Sequence, residues 1–160
     1  RVRSMAMIHD TLYRTRNFAH VDFRAFAGSL LSLLETSHVS DDAHIRLVAE
    51  VEPVPLCLDQ GIPCGLIVNE LVSNAYKHAF PGRAHGTITV AMHCVPEGKV
   101  VLSVRDDGIG LASDLAAPRT GSIGLKLVQL LAGQIGGTLE VRREAGTQFS
   151  IIFSAREEAP

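Results

Sequence analysis

Three short segments carry the residues best suited to chemistry. Asn69-Glu70-Leu71-Val72-Ser73-Asn74-Ala75-Tyr76-Lys77-His78 offers an acid, an amide and two basic groups at helical spacing. Asp106-Asp107-Gly108-Ile109-Gly110 follows a strand-like run and sets carboxylates before two glycines. A carboxylate just past a buried strand can accept a hydrogen bond from an exocyclic amine, and glycines let a backbone approach a flat ring or a phosphate. Gly121-Ser122-Ile123-Gly124 opens a further helix, where free backbone N–H groups and the positive dipole end favour anions. In this order the three segments read as a nucleotide site.

Within the first segment, at about 100° per residue, Glu70, Asn74, Lys77 and His78 share one side of a helix, while Val68, Leu71, Val72, Ala75 and Ala79 gather opposite. One side packs and the other is available for chemistry. The Asn74 carbonyl suits a Mg²⁺ ion that keeps most of its waters and takes further ligands from phosphates. Lys77 can reach a phosphate as a compact charge. Glu70 could orient or deprotonate an attacking group, or hold a metal-bound water, and the sequence does not choose. Asn69 lies off this face, and His78 could equally be an exposed or capping residue beside Pro81. The plainer alternative is that the stripe is only the solvated side of an amphipathic helix. Likewise Asp106 could simply end a strand, and Gly108 and Gly110 could only permit a turn. Gly146-Thr147 adds a hydroxyl and a pliable backbone, which a hairpin turn explains as well.

The elements that must hold these groups follow from periodicity. Residues 1–16 form one helix with a narrow apolar stripe through Val2, Met5, Ile8, His9 and Leu12, shaped as a seam for another helix. Asp22 is the N-cap of a second helix whose broad face is Phe23, Phe26, Ala27, Leu30, Leu31 and Leu34. Ile45, Leu47, Ala49 and Val51 alternate as a strand that Pro53 and Pro55 end. Pro63 stands near the start of the motif helix, and Pro81-Gly82 stops it. Residues 87–95 and 99–105 make an antiparallel hairpin about Pro96-Glu97-Gly98, and 111–120 is a short loop over the site. A helix over 121–134 ends at Gly136-Gly137, before strands at 138–142 and 147–153. The predicted class is α+β, a two-layer sandwich with a mixed, largely antiparallel sheet and helices on one face.

Bulk composition excludes several roles. With 160 residues and 46% hydrophobic content, the chain suits one main domain. Its 15 basic and 17 acidic residues are interspersed, so no cationic surface for nucleic acid is expected. Cys57, Cys64 and Cys94 are odd in number and lack Cys-x-x-Cys spacing, which fits a reducing cytoplasm better than a disulfide frame or zinc site. No apolar run suggests membrane contact by this chain. It opens on Arg1 already in helical register, as a piece of something longer would.

On these residues the chain resembles the ATP-binding domain of sensor histidine kinases, in the superfamily shared with gyrase B, mismatch-repair ATPases and heat-shock chaperone ATPases. In that resemblance 66–80 is the N box, Asp106 to Gly110 the first glycine box, and Gly121, Ser122, Gly124 and Leu125 belong to the second. It implies that Asp106 reads the adenine amine, Asn74 holds Mg²⁺, Lys77 meets phosphate and the glycines shape a lid. Glu70 falls where the superfamily's ATPases carry a general base. The short lid, without the family's phenylalanine box, and the run Asn69 to Pro81 are similar to the HWE-related branch. Residues 1–10 resemble the second helix of that branch's dimerisation and phosphotransfer region, which implies a homodimer through this helix. A division at residue 20 follows, with 1–20 in the helical region and 21–160 in the ATP-binding domain.

The phosphoacceptor histidine of that branch lies on the preceding helix, so it is expected outside this chain. His9-Asp10 has the local form of an acceptor, yet His9 lies on the seam stripe. The implied activity is transfer of the ATP γ-phosphoryl to a histidine, for relay to an aspartate of a response regulator receiver domain. Rivals are an anti-sigma-factor-type serine kinase, against which the N-terminal seam argues, and a non-catalytic phosphotransfer or docking module, against which Asp106, Asn74 and the glycine pairs argue.

Overall fold

A computed structural model describes residues 6, 10, 21–38, 44–110 and 123–156. The expected loop over 111–120, with Gly121, Ser122 and His9, lies outside the described residues. In chain order the elements are β1 (Val21–Asp22), α1 (Phe23–Ser37), β2 (His44–Val51), β3 (Pro55–Leu56), α2 (Leu58–His78), β4 (His85–Val95), β5 (Lys99–Asp106), α3 (Ile123–Gln134), β6 (Thr138–Arg142) and β7 (Thr147–Ser154). Asp22 caps α1 as expected, its Oδ1 accepting from the Ala25 N–H at 3.1 Å. The six apolar residues of the α1 face are all buried.

Five strands form one sheet in the order β2-β4-β5-β7-β6. The two hairpins, β4–β5 and β6–β7, are antiparallel, as is β5–β7, which gives the largely antiparallel sheet that the strand pattern predicts. The exception is β2, which runs parallel to β4 from His44↔His85 to Val51↔Met92. A parallel neighbour needs a crossover, and α2 is that crossover. Strand parity then defines the core. Val90 and Met92 pair with Val104 and Leu102, which pair in turn with Phe149 and Ile151; Ile88 and the Val100–Phe153 pair share their parity, and all nine are buried. The helices cover this face, so the molecule is a two-layer α+β sandwich.

Two features differ from the sequence reading. The motif helix starts at Leu58, five residues before Pro63, and the proline lies within it. Tertiary anchors overrule the proline's start signal. Gln60, fully buried, donates from Nε2 to the Ser154 carbonyl at 2.8 Å and accepts the Arg156 N–H on Oε1 at 2.8 Å, tying the first turn of α2 to the end of β7. The second feature is the β1–β3 pair, Val21↔Leu56 and Asp22↔Pro55, too short to show any alternation. It sets Val21 against the first turns of α2, where a methyl on Gly61 would lie 3.2 Å from Val21 Cγ2. At the other end of α1, the His38 ring stacks on Tyr76 of α2 with centroids 4.7 Å apart and planes at 9°. Among the described residues no helix is long and apolar enough to cross a membrane.

Candidate functional site

Asp106 is the last residue of β5, and its parity with Val100, Leu102 and Val104 turns it toward the helices rather than solvent. Only 7% of it is exposed. It pairs with Thr147 in the ladder, itself buried at the start of β7. Burial raises the Asp106 carboxyl above its ordinary value. The backbone N–H groups of Gly108 and Thr147 oppose that shift, and the neighbouring Asp107 charge adds to it. The Gly108 bond measures 3.0 Å to Asp106 Oδ1. Asp107 points elsewhere: its Oδ1 accepts the Thr87 N–H at 2.7 Å and its carbonyl accepts from Arg83 Nη1 at 2.8 Å. The first acid of the pair thus faces the interhelical side, and the second fastens the turn.

The glycines around Asp106 are required by proximity. A Cβ on Gly108 would overlap the Ala79 carbonyl at the end of α2, and the Ile109 N–H donates to that same carbonyl at 2.9 Å. A Cβ on Gly146 would overlap the Asp106 carbonyl, and Gly146 has a φ of 113°, which a side chain resists. Gly110, at φ 80°, comes close to the Gly146 carbonyl. The first glycine turn is therefore pinned between the C-terminus of α2 and the hairpin before β7.

One and two turns back along α2 lies the second group. Asn74 is half-buried and Glu70 is buried, and both face the first turn of α3. A methyl on Gly124 would stand 2.9 Å from Glu70 Oε2 and 3.3 Å from Asn74 Nδ2. Leu125 is half-buried against the core. Lys77 and His78 are exposed in the last turn of α2, where positive charge suits the helix dipole. Asn69 is buried away from this group, and its Oδ1 has no hydrogen-bond partner among the described residues.

Thus α2 brings Glu70, Asn74 and Gly124 to one point, and Asp106, Gly108, Gly110 and Thr147 to another beside Ala79. From Glu70 to Ala79 the helix advances about 13 Å at 1.5 Å per residue. Among the described residues no group of three or more His, Cys, Asp or Glu side chains is placed to hold a metal ion. The oxygens of Asn74 and Glu70 at the α2–α3 contact fit a hard cation that draws its other ligands from phosphate and water. Gln60 is a structural anchor that no motif in the sequence marks. A lone Gln in an apolar helix start carries no pattern, and its backbone partners are some 94 and 96 residues away in sequence.

Comparison with known proteins bears on the whole arrangement. Residues 60–157 match the family model described as histidine kinase-, DNA gyrase B- and HSP90-like ATPase, and residues 1–38 match one described as histidine kinase. The second match runs past residue 20 and through α1, whose apolar face belongs to the sandwich core. Blue-light-activated histidine kinase 2 of Erythrobacter litoralis is 28% identical over 119 residues, covering 74% of this chain and 34% of its own length. The sensor histidine kinase PdtaS of Mycobacterium tuberculosis is 30% identical over 151 residues, covering 92% of this chain and 30% of its own. The chain thus spans about a third of the length of these relatives. The solved histidine kinase domain of a blue-light-activated kinase from Erythrobacter litoralis superposes with a TM-score of 0.85 at 23% identity, covering 96% of this chain and 79% of that one. That likeness shows the fold.

Proposed function

Because the chain belongs to the histidine kinase-, DNA gyrase B- and HSP90-like ATPase family, we propose that it binds ATP·Mg²⁺ between α2 and the two glycine turns. Its role is then that of the catalytic domain of a two-component sensor histidine kinase, transferring the γ-phosphoryl to a histidine outside this chain. Support comes above all from one observation: a single helix carries the Glu70–Asn74 pair against Gly124 and, further on, the Ala79 carbonyl against Gly108, beside a buried carboxylate. The separation suits a nucleotide lying along α2 with its base at Asp106 and its phosphates at α3.

In this reading the Asp106 carboxylate accepts from the adenine amine, and Gly108, Gly110 and Thr147 shape the base pocket. Lys77, with His78 beside it, meets the phosphates from the end of α2. Gly121, Ser122, Gly124 and Leu125 line the phosphate side, where the helix start favours anions. Asn74 would hold Mg²⁺, which when bound neutralises phosphate charge. Placement of the γ-phosphoryl in line with an imidazole nitrogen, with water excluded, supplies the rest of the rate. The phosphoryl–oxygen bond to ADP breaks as the phosphorus–nitrogen bond forms, and the phosphohistidine then passes its group to a response regulator aspartate. Residues 1–20 serve as a pairing helix for a homodimer, residues 21–160 as the ATP-binding domain, and the reaction takes place in the cytoplasm.

The test supplies the chain with ATP·Mg²⁺ labelled at the γ position and with a polypeptide bearing the acceptor helix of an HWE-type kinase. Label that is stable to base and labile to acid marks phosphohistidine and is the expected result. Base-labile label on a serine protein would instead place the chain among serine kinases, and no measurable nucleotide binding would leave it a docking module.

A further inference from the structure

Strand β2 stands at one end of the sheet, hydrogen-bonded to β4 alone among the described strands. His44 and Glu52, just past its end, donate their N–H groups to the Ala84 and Met92 carbonyls at 2.7 and 2.9 Å. Backbone groups alternate in direction along a strand, so those of Ile45, Leu47, Ala49 and Val51 point to the free edge. Such an edge is a template for another strand. The side chains indicate which one. On the sheet face away from the helices β2 presents His44, Arg46, Val48 and Glu50, so the charge reverses sign about Val48. Arg46 and Glu50 are exposed, and among the described residues neither is in an ion pair. Helix α1 packs on β2 and repeats the reversal. Arg24 lines a concavity at the Glu50 end of the strand, and Glu35 lines one at the Arg46 end. Between them in α1, Gly28 faces open space: a Cβ there would meet nothing within 4 Å.

We propose that β2 is a docking edge for a second copy of this chain, whose own β2 pairs with it antiparallel about a two-fold axis at Val48. A two-fold contact must be complementary to itself. With Val48 opposite Val48, Arg46 of each copy lies opposite Glu50 of the other, and opposite charges across a strand pair attract. In the same register Leu47 meets Ala49 and Ile45 meets Val51. These are the residues with free backbone groups, so each pair exchanges main-chain hydrogen bonds. A shift of two residues either way keeps the faces but loses both Arg46–Glu50 pairs. Arg24 of one copy then approaches Glu35 of the other, and Gly28 leaves room for the neighbouring helix. Glu52 adds nothing, because its Oε2 already accepts the Cys94 N–H at 3.1 Å. Charges placed only to repel a second copy would have one sign at mirrored positions. The contact uses neither the nucleotide site nor residues 1–16, so it is independent of both readings.

The experiment cross-links the 160-residue chain through Val48→Cys in a Cys94→Ser background, which removes the exposed native thiol and leaves Cys57 and Cys64 buried. Val48 opposite itself is a non-hydrogen-bonded pair with Cα atoms about 4.5 Å apart, within disulfide reach. Mild oxidation across a concentration series should give a disulfide dimer on a non-reducing gel. Arg46→Glu or Glu50→Arg, added singly, puts two like-charged pairs into the contact and should raise the half-dimer concentration about 10- to 100-fold. Mixing the two single-reversal proteins, or combining both reversals in one chain, should restore it, since each arginine again meets a glutamate. A folding defect would not be cured by mixing, and pairing through residues 1–16 alone would not respond to these charges. A cross-link that ignores the reversals, or a mixture no better than its parts, overturns the inference. So does a Val48→Cys protein that stays monomeric throughout the series.

Discussion

Asp106 shows how a site residue is held at a cost to the fold. Its carboxyl lies above its ordinary value of 3.8 because it is buried. With the folded-state pKa raised, the native protein holds more protons than the unfolded chain between the two values. Stability attributable to this group is full below the unfolded pKa and is lost as pH rises through the folded one. Asp106→Asn should therefore unfold at higher temperature than wild type near pH 7, and the gap should close as the pH falls toward the carboxylate range. Thermal melts across pH check this; a gap that widens in acid would contradict it. Gly108 is constrained from the other direction. Gly108→Ala pushes a methyl into the Ala79 carbonyl and should cost about 1–3 kcal/mol in urea unfolding, with weaker nucleotide binding. At this scale the sequence was only partly legible. Residue types and order pointed to Asp106, Gly108 and Gly124, but which of Asp106 and Asp107 faces the helices follows from strand parity across three paired strands.

The motif helix is both ruler and crossover. Its polar stripe was readable because 3.6-residue periodicity is local, and so were the alternating strands of β4, β5 and β7. Its first turn was not, since Gln60 bonds to backbone groups of Ser154 and Arg156 far along the chain. Gln60→Leu removes the side-chain partner of the Arg156 N–H and the Ser154 carbonyl, two part-buried hydrogen bonds, and should lower stability by about 1–3 kcal/mol. Because the break lies at the start of α2 and the site at its later turns, ATP affinity should fall less than stability does. Urea unfolding and nucleotide titration on the same variant separate the two; equal loss in both would show that α2 does not transmit its anchoring in this graded way. The parallel β2–β4 pair was equally hidden, because alternation marks a strand without naming its neighbour.

Across the whole molecule, two layers built on one sheet face leave α2 between the glycine turns, and that arrangement makes a 98-residue match to the ATPase family physically coherent. The fold class was legible because segregated helices and hairpin-linked strands leave few ways to bury one sheet face. What pairs with residues 1–16 was not, since an apolar seam records the need for a partner rather than its identity. The measurement closest to the central claim compares ATP with inosine triphosphate, which carries an oxygen in place of the 6-amino group, on wild type and Asp106→Asn. Loss of a hydrogen bond to a charged acceptor should make wild type favour ATP by about 10- to 100-fold, and Asp106→Asn should erase that preference by weakening ATP alone. An Asp106→Asn protein that still discriminates the two nucleotides as wild type does would contradict the account.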